Sequence, residues 1–274
     1  MAKSFTLKVE KTVTALELRV NDIPIFLSPS DQNLDTVEPV DMWIQPGENS
    51  LSIKLEWPEG QGYSPGLADC RAVLEHLEEG EKIGSTRPLA ELNWPMPDTG
   101  QPPDMLADPN APTPLPPQEY YPYQARADFT VDPQAAPPTY LWRQAVPVAW
   151  TGADKADVLD ILVRLHTALD NKDIDTATRI LDYKAVDTGL ALRLSPDESR
   201  QSQREFFEYL FSLDDWGMEP IDPPNMEIHV LSDDRIVLVS QEDMAPALQS
   251  TTRMPKFLLP VYFAKIKDQW RIVR

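Results

Sequence analysis

Three histidines are the side chains here best suited to acid–base chemistry, because imidazole titrates near neutrality. His166 sits beside an apolar helical stripe. His229 lies in a strand-like run between Ile228 and Val230. His76 falls in a stretch, "ADCRAVLEHLEEGEKIG", whose apolar spacing fits either a strand or a short helix. A general base must be poised by its surroundings, and the alternative for each imidazole is a hydrogen-bonded or solvated structural role. Cys70 is the only cysteine, so no intramolecular disulfide can form and a reducing compartment is expected. It has no accompanying nucleophile motif and reads as a small buried apolar residue. No H-x-x-x-H, C-x-x-C or glycine-containing aspartate loop provides a metal site, and none of G-x-G-x-x-G, Walker A or G-x-S-x-G occurs. No cofactor or metal is therefore expected.

The elements that must position these groups change character along the chain. Phe5, Leu7 and Val9, then Leu16, Leu18 and Val20, alternate with polar residues, and Asn21-Asp22 supplies a turn before Ile23–Leu27. Pro46-Gly47 suits a type II turn, because proline presets φ at its second position and glycine accepts positive φ at its third. Leu51, Ile53 and Leu55 then alternate with Ser52, Lys54 and Glu56 as a half-buried strand. The stretch 68–84 is read as a strand from its β-like surroundings, broken at Gly80 and Gly84. Residues 94–138 hold about 13 prolines and predict an extended excursion clamped on a domain surface. Two strand-like runs, 124–131 and 139–148, are expected to return the chain to the first sheet system.

Beyond residue 150 the period becomes helical. Val158, Ile161, Leu162, Leu165 and Leu169 form one stripe, with Asp154 or Asp157 near its start. A second helix is expected over 174–183. A third begins with Ser195 as N-cap, Pro196 at the first position and Glu198 at the reciprocal capping position, with Phe206, Phe207, Leu210 and Phe211 as its apolar face. Strands follow: 226–232 and 235–241 joined across Asp233-Asp234, then 255–268 and 269–274. The expected fold class is α+β. An antiparallel β-sandwich over 1–150 carries the Pro-rich surface segment, and three helices pack on a curved antiparallel sheet over 153–274.

Two resemblances follow from these runs. "ALELRVNDIPIFLSPSDQN" with "VEPVDMWIQPGENSLSIKLEWP" resembles the galactose-binding-like jelly-roll modules that accompany glycosidase domains. The match lies on Val20, Asn21, Ile44, Pro46, Gly47, Asn49, Leu51 and Ile53, about forty residues in span, and carries no sugar-binding residue. The last 120 residues or so look like the cone-shaped nuclear-transport-factor-2-like and polyketide-cyclase-like domains, through "LVRLHTALDNKDIDTATRILD", "REFFEYLF" and the closing "WRIVR". This second resemblance implies a conical pocket, which some members line with Asp–His pairs. The candidates for catalysis are then His229 or His166 as base, with Asp182 or Asp170 as partner to His229. Tyr183, Phe207 and Tyr262 are the candidate pocket walls, or else core aromatics.

The formal net charge is −19, carried by both halves: about 11 basic against 23 acidic residues up to Lys155, and 14 against 21 after it. That opposes nucleic acid or an anionic membrane as partner and fits simple solubility or a basic protein partner. "LEEGEKIG" and "LSDDR" concentrate it locally. Neither an apolar leader nor a run of about 18 apolar residues is present, so a cytoplasmic protein is expected. The leading reading is an acidic, non-enzymatic binding protein, in its concrete version an immunity-type protein masking a basic partner. The alternatives are an enzyme using the conical pocket, and carbohydrate recognition on an exposed Trp43 or Trp57. Oligomeric state is left open.

Overall fold

The computed structural model describes residues 4–12, 14–28, 33–56, 70–78, 81–94, 122–137, 139–253 and 255–274. The fold is mixed α+β, with four antiparallel sheets and four α-helices among the described residues. The chain divides into two compact units, Met1–Pro137 and Pro138–Arg274.

In the first unit the strands are β1 (Ser4–Lys11), β2 (Ala15–Val20), β3 (Ile23–Ser28), β4 (Leu34–Pro39), β5 (Gly47–Glu56), β6 (Cys70–Leu77), β7 (Ala90–Trp94) and β8 (Tyr123–Val131). They form two four-stranded sheets, ordered β4-β1-β6-β7 and β3-β2-β5-β8. The period-2 runs do what alternation requires. Phe5, Leu7, Val9, Leu16, Leu18, Val20, Leu51, Ile53 and Leu55 are all buried, while their sequence neighbours in β1, β2 and most of β5 stay partly exposed. Within the ambiguous stretch, Cys70–Leu77 is strand β6 and pairs with β1. Strands β4 and β7 add to the expected set.

The two turns flagged in the sequence are tied to each other. Asn21 and Asp22 have φ of 51° and 65°, the left-handed values that a two-residue hairpin turn demands. Gly47 has φ of 86°, as a type II turn needs. The Asn21 amide donates to the Trp43 carbonyl (2.7 Å) and to Asn49 Oδ1 (2.8 Å), and its own Oδ1 accepts from Ser50 N (2.9 Å). Asn49 in turn accepts from Gln45 N and donates to the Gln45 and Gly47 carbonyls. These asparagines supply hydrogen-bond partners to backbone groups of the two turns.

The second unit begins before its first helix. Residues 139–148, expected as a strand of the first sheet system, instead form a 3-10 turn at Leu141–Gln144 and belong to this unit. Burial of Tyr140 and Trp142 directs this, and the backbone is stitched in place by Val146 N to Lys265 O, Val148 N to Asp234 O and Arg235 Nη1 to Ala145 O. The helices are α1 (Gly152–Asp170), α2 (Ile174–Ile180), α3 (Asp182–Leu192) and α4 (Pro196–Phe211). There are four rather than three, because the second expected helix breaks at Leu181 and restarts. Helix α1 opens on a capping box, Thr151 with Asp154, and α4 on the expected one, Ser195 with Glu198.

Strands β9 (Glu227–Leu231), β10 (Ile236–Ser240), β13 (Val261–Ile266) and β14 (Gln269–Ile272) form a sheet ordered β14-β13-β10-β9. Strands β11 (Leu248–Gln249) and β12 (Leu258–Leu259) pair separately. The β9–β10 loop spans four residues, not two: Ile236 pairs with Leu231, and Ser232, Asp233 and Asp234 all take positive φ. Val158, Leu162, Leu165, Leu169, Phe207 and Leu210 from the helices meet Val237, Val239, Val261, Phe263, Trp270 and Ile272 from the sheet in one core. Phe206, expected on that apolar face, is 48% exposed instead. The prolines of the 94–138 segment lie mostly outside the described residues.

Candidate functional site

Two of the histidines are hydrogen-bonded and the third is stacked on an aromatic ring. His166 Nε2 is 2.9 Å from the Glu219 carbonyl oxygen, an acceptor that holds the ring proton on Nε2. His229 Nε2 is 3.0 Å from Ser240 Oγ and 3.4 Å from Glu227 Oε2. Serine, histidine and acid are thus together, but on one ring nitrogen. A nucleophilic relay needs the acid on Nδ1 and the serine on Nε2, and Ser240 is only 1% exposed. His76 stacks on Phe5 with ring centroids 4.6 Å apart.

The proposed acids do not meet His229. Asp170 Oδ1 accepts from Met218 N, capping the turn after α4, and Asp182 pairs with Arg200 at 2.6 Å. Phe207 and Tyr262 are buried, Phe207 inside the aromatic cluster of Phe211, Trp216 and Phe257. Phe207 belongs to the hydrophobic core that the helices share with the sheet. Trp43 and Cys70 are buried as well, and Trp57 lies outside the described residues. Among the described residues no group of three or more His, Cys, Asp or Glu is placed to hold a metal ion.

Two of the sequence candidates, Asp182 and Tyr183, do share a site. A groove of about 610 Å³ opens where α2, the start of α3, the first turns of α4 and β14 come together. Its chemistry is set by Arg179, Asp182, Tyr183, Arg200, Arg204 and Arg271. Arg200 bonds Asp182 and Asp197, and Arg204 bonds Asp175 and Glu208. Arg271 lies over the Tyr183 ring, its guanidinium carbon 5.4 Å from the centroid. The sequence could not announce this grouping, since its members come from four separate elements. Two further grooves, of about 510 and 500 Å³, have no aromatic side chain in their lining.

A second polar cluster lies deeper in this unit. Asp187 is fully buried and accepts from Leu141 N (2.6 Å) and Trp142 N (3.3 Å), which joins α3 to the 3-10 turn. Burial raises its pKa above the ordinary carboxylate value, against those hydrogen bonds and the nearby Arg274 charge. Arg274 lies over the buried Tyr140 ring at 4.9 Å. Burial, with Arg274 adding repulsion, lowers the Lys184 amine to about 8. Arg143 falls to about 10, mainly through burial.

No family model, curated protein or solved structure matches this chain. Among the described residues no helix is long and apolar enough to cross a membrane.

Proposed function

We propose that this chain is a non-enzymatic binding protein that takes a basic protein partner. The observation that carries this reading is an aromatic pair left outside the core. Phe206 and Tyr209, three residues apart on α4, are 48% and 54% exposed, and Phe206 rests against Phe257, the neighbour of the 48% exposed Leu258. Their i, i+3 spacing puts both rings on one flank of the helix. Clustered exposed aromatics are typical anchors of protein interfaces. Glu205 and Glu208 flank them on the same helix, and a chain of net charge −19 steers cationic partners toward itself. The commitment of both candidate histidines to other bonds supports binding over catalysis. The burial of Trp43 leaves carbohydrate recognition without that platform.

In this reading the first unit is a jelly-roll sandwich of the galactose-binding-like kind, supported by its two four-stranded sheets and the interlocked Asn21 and Pro46-Gly47 turns. The second is a cone-type domain, supported by helices preceding an antiparallel sheet that ends in "WRIVR". The test is affinity capture from a cell lysate with the full chain and with a Phe206→Ser/Tyr209→Ser variant. The expected outcome is a basic protein that binds at low salt, elutes by about 0.5 M salt as screening sets in, and is lost with the variant. Retention of the same proteins by the variant contradicts the proposal.

A further inference from the structure

The arginines of the α2–α3–α4–β14 groove are not equally neutralised. Arg200 and Arg204 each hold two carboxylates. Arg179 and Arg271 hold none among the described residues. Arg179 is steadied by Thr176 Oγ1 at 3.1 Å, and Arg271 by the Gln269 side chain and the Tyr183 ring. Arg271 Nε is buried and without a hydrogen-bond partner. In a chain with 44 acidic residues against 25 basic ones, carboxylates are abundant, yet among the described residues neither of these two groove cations has a carboxylate at ion-pair distance, and Asp173 acts on Arg179 only at longer range. A guanidinium presents a planar fork matched to an oxyanion.

We infer that this groove binds a small organic oxyanion, held between Arg179 and Arg271 with its body along the Tyr183 ring. The shared chemistry is a carboxylate or phosphate group on a compact molecule. The volume of about 610 Å³ lies within the range of small-molecule sites. Asp182 and Asp197 engage Arg200, which leaves Arg179 and Arg271 as the groove arginines with no carboxylate bonded to them among the described residues. This inference does not rest on a protein partner: Phe206 and Tyr209 do not line the groove.

The test is calorimetric titration of the full chain with inorganic phosphate and, separately, with malonate, at matched ionic strength against chloride. Saturable binding of one or both is expected, and the stronger response identifies the phosphate or the carboxylate source. Binding weakens roughly tenfold or more in Arg271→Gln and in Arg179→Gln. It is unchanged in Arg126→Gln, an exposed arginine of β8, and in the Phe206→Ser/Tyr209→Ser variant. Arg179 is exposed and outside the core, so its variant stays informative if Arg271→Gln fails to fold. No saturable binding beyond chloride, or binding that survives Arg179→Gln, overturns the inference.

Discussion

Asp154 shows how a polar residue can be committed to structure. Its carboxylate accepts from the Thr151 hydroxyl at 2.6 Å, from Lys265 Nζ at 3.1 Å and from Trp270 Nε1 at 3.1 Å, linking the start of α1 to β13 and β14. The Thr151 hydrogen bond leads, with Lys265 and Trp270 behind it, in lowering its pKa from 3.8 to about 2. Because the folded value lies below the unfolded one, the stabilisation is complete above about pH 4 and is lost as pH falls toward 2. Asp154→Asn should cost about 2 kcal/mol at neutral pH, measured by urea unfolding. Between pH 4 and 2 the wild type should lose its advantage and the two curves converge. Parallel curves across that range would show that the carboxylate charge is not what matters. His166 and His229 follow the same logic, their nitrogens being occupied by a carbonyl and a serine.

The decisive contact between elements is the approach of α3 to α4. A Cβ added at Gly189 would lie 2.5 Å from Ser199 Cβ and 2.7 Å from its hydroxyl, closer than any side chain can sit. Ser199 also donates to the Ala185 carbonyl, which holds the two helices together. This crossing places Tyr183 on α3 beside Arg200 and Arg204 on α4. Gly189→Ala should force the helices apart and cost about 2 kcal/mol by overpacking, read by thermal unfolding. The groove opens with it, so anion binding should weaken while the α4 aromatic pair keeps its exposure. A variant as stable as the wild type would mean that the crossing is looser than its geometry implies.

At the scale of the molecule, local patterns were legible and long-range groupings were not. The alternation in β1, β2 and β5 and the Ser195–Glu198 capping box depend on neighbours within a few residues, so sequence spacing carries them. The break at Leu181 has neither proline nor glycine to mark it. The segment 139–148 has strand-like composition, but Tyr140 and Trp142 are buried in the second unit, with Asp187 binding the backbone from about 45 residues away. The groove likewise gathers residues 179 to 271, which no window of sequence contains. Exposure of Phe206 was missed because helical periodicity assigns it to the same stripe as Phe207.

The charge of −19 belongs to the whole chain and acts at a distance; the α4 aromatics act on contact. The central claim joins the two, and amide hydrogen exchange on the captured complex tests it most directly. The account predicts slowed exchange over Pro196–Phe211 and the adjoining Phe257–Leu259 when the basic partner is bound. Unchanged exchange there, with protection elsewhere in the chain, would contradict it.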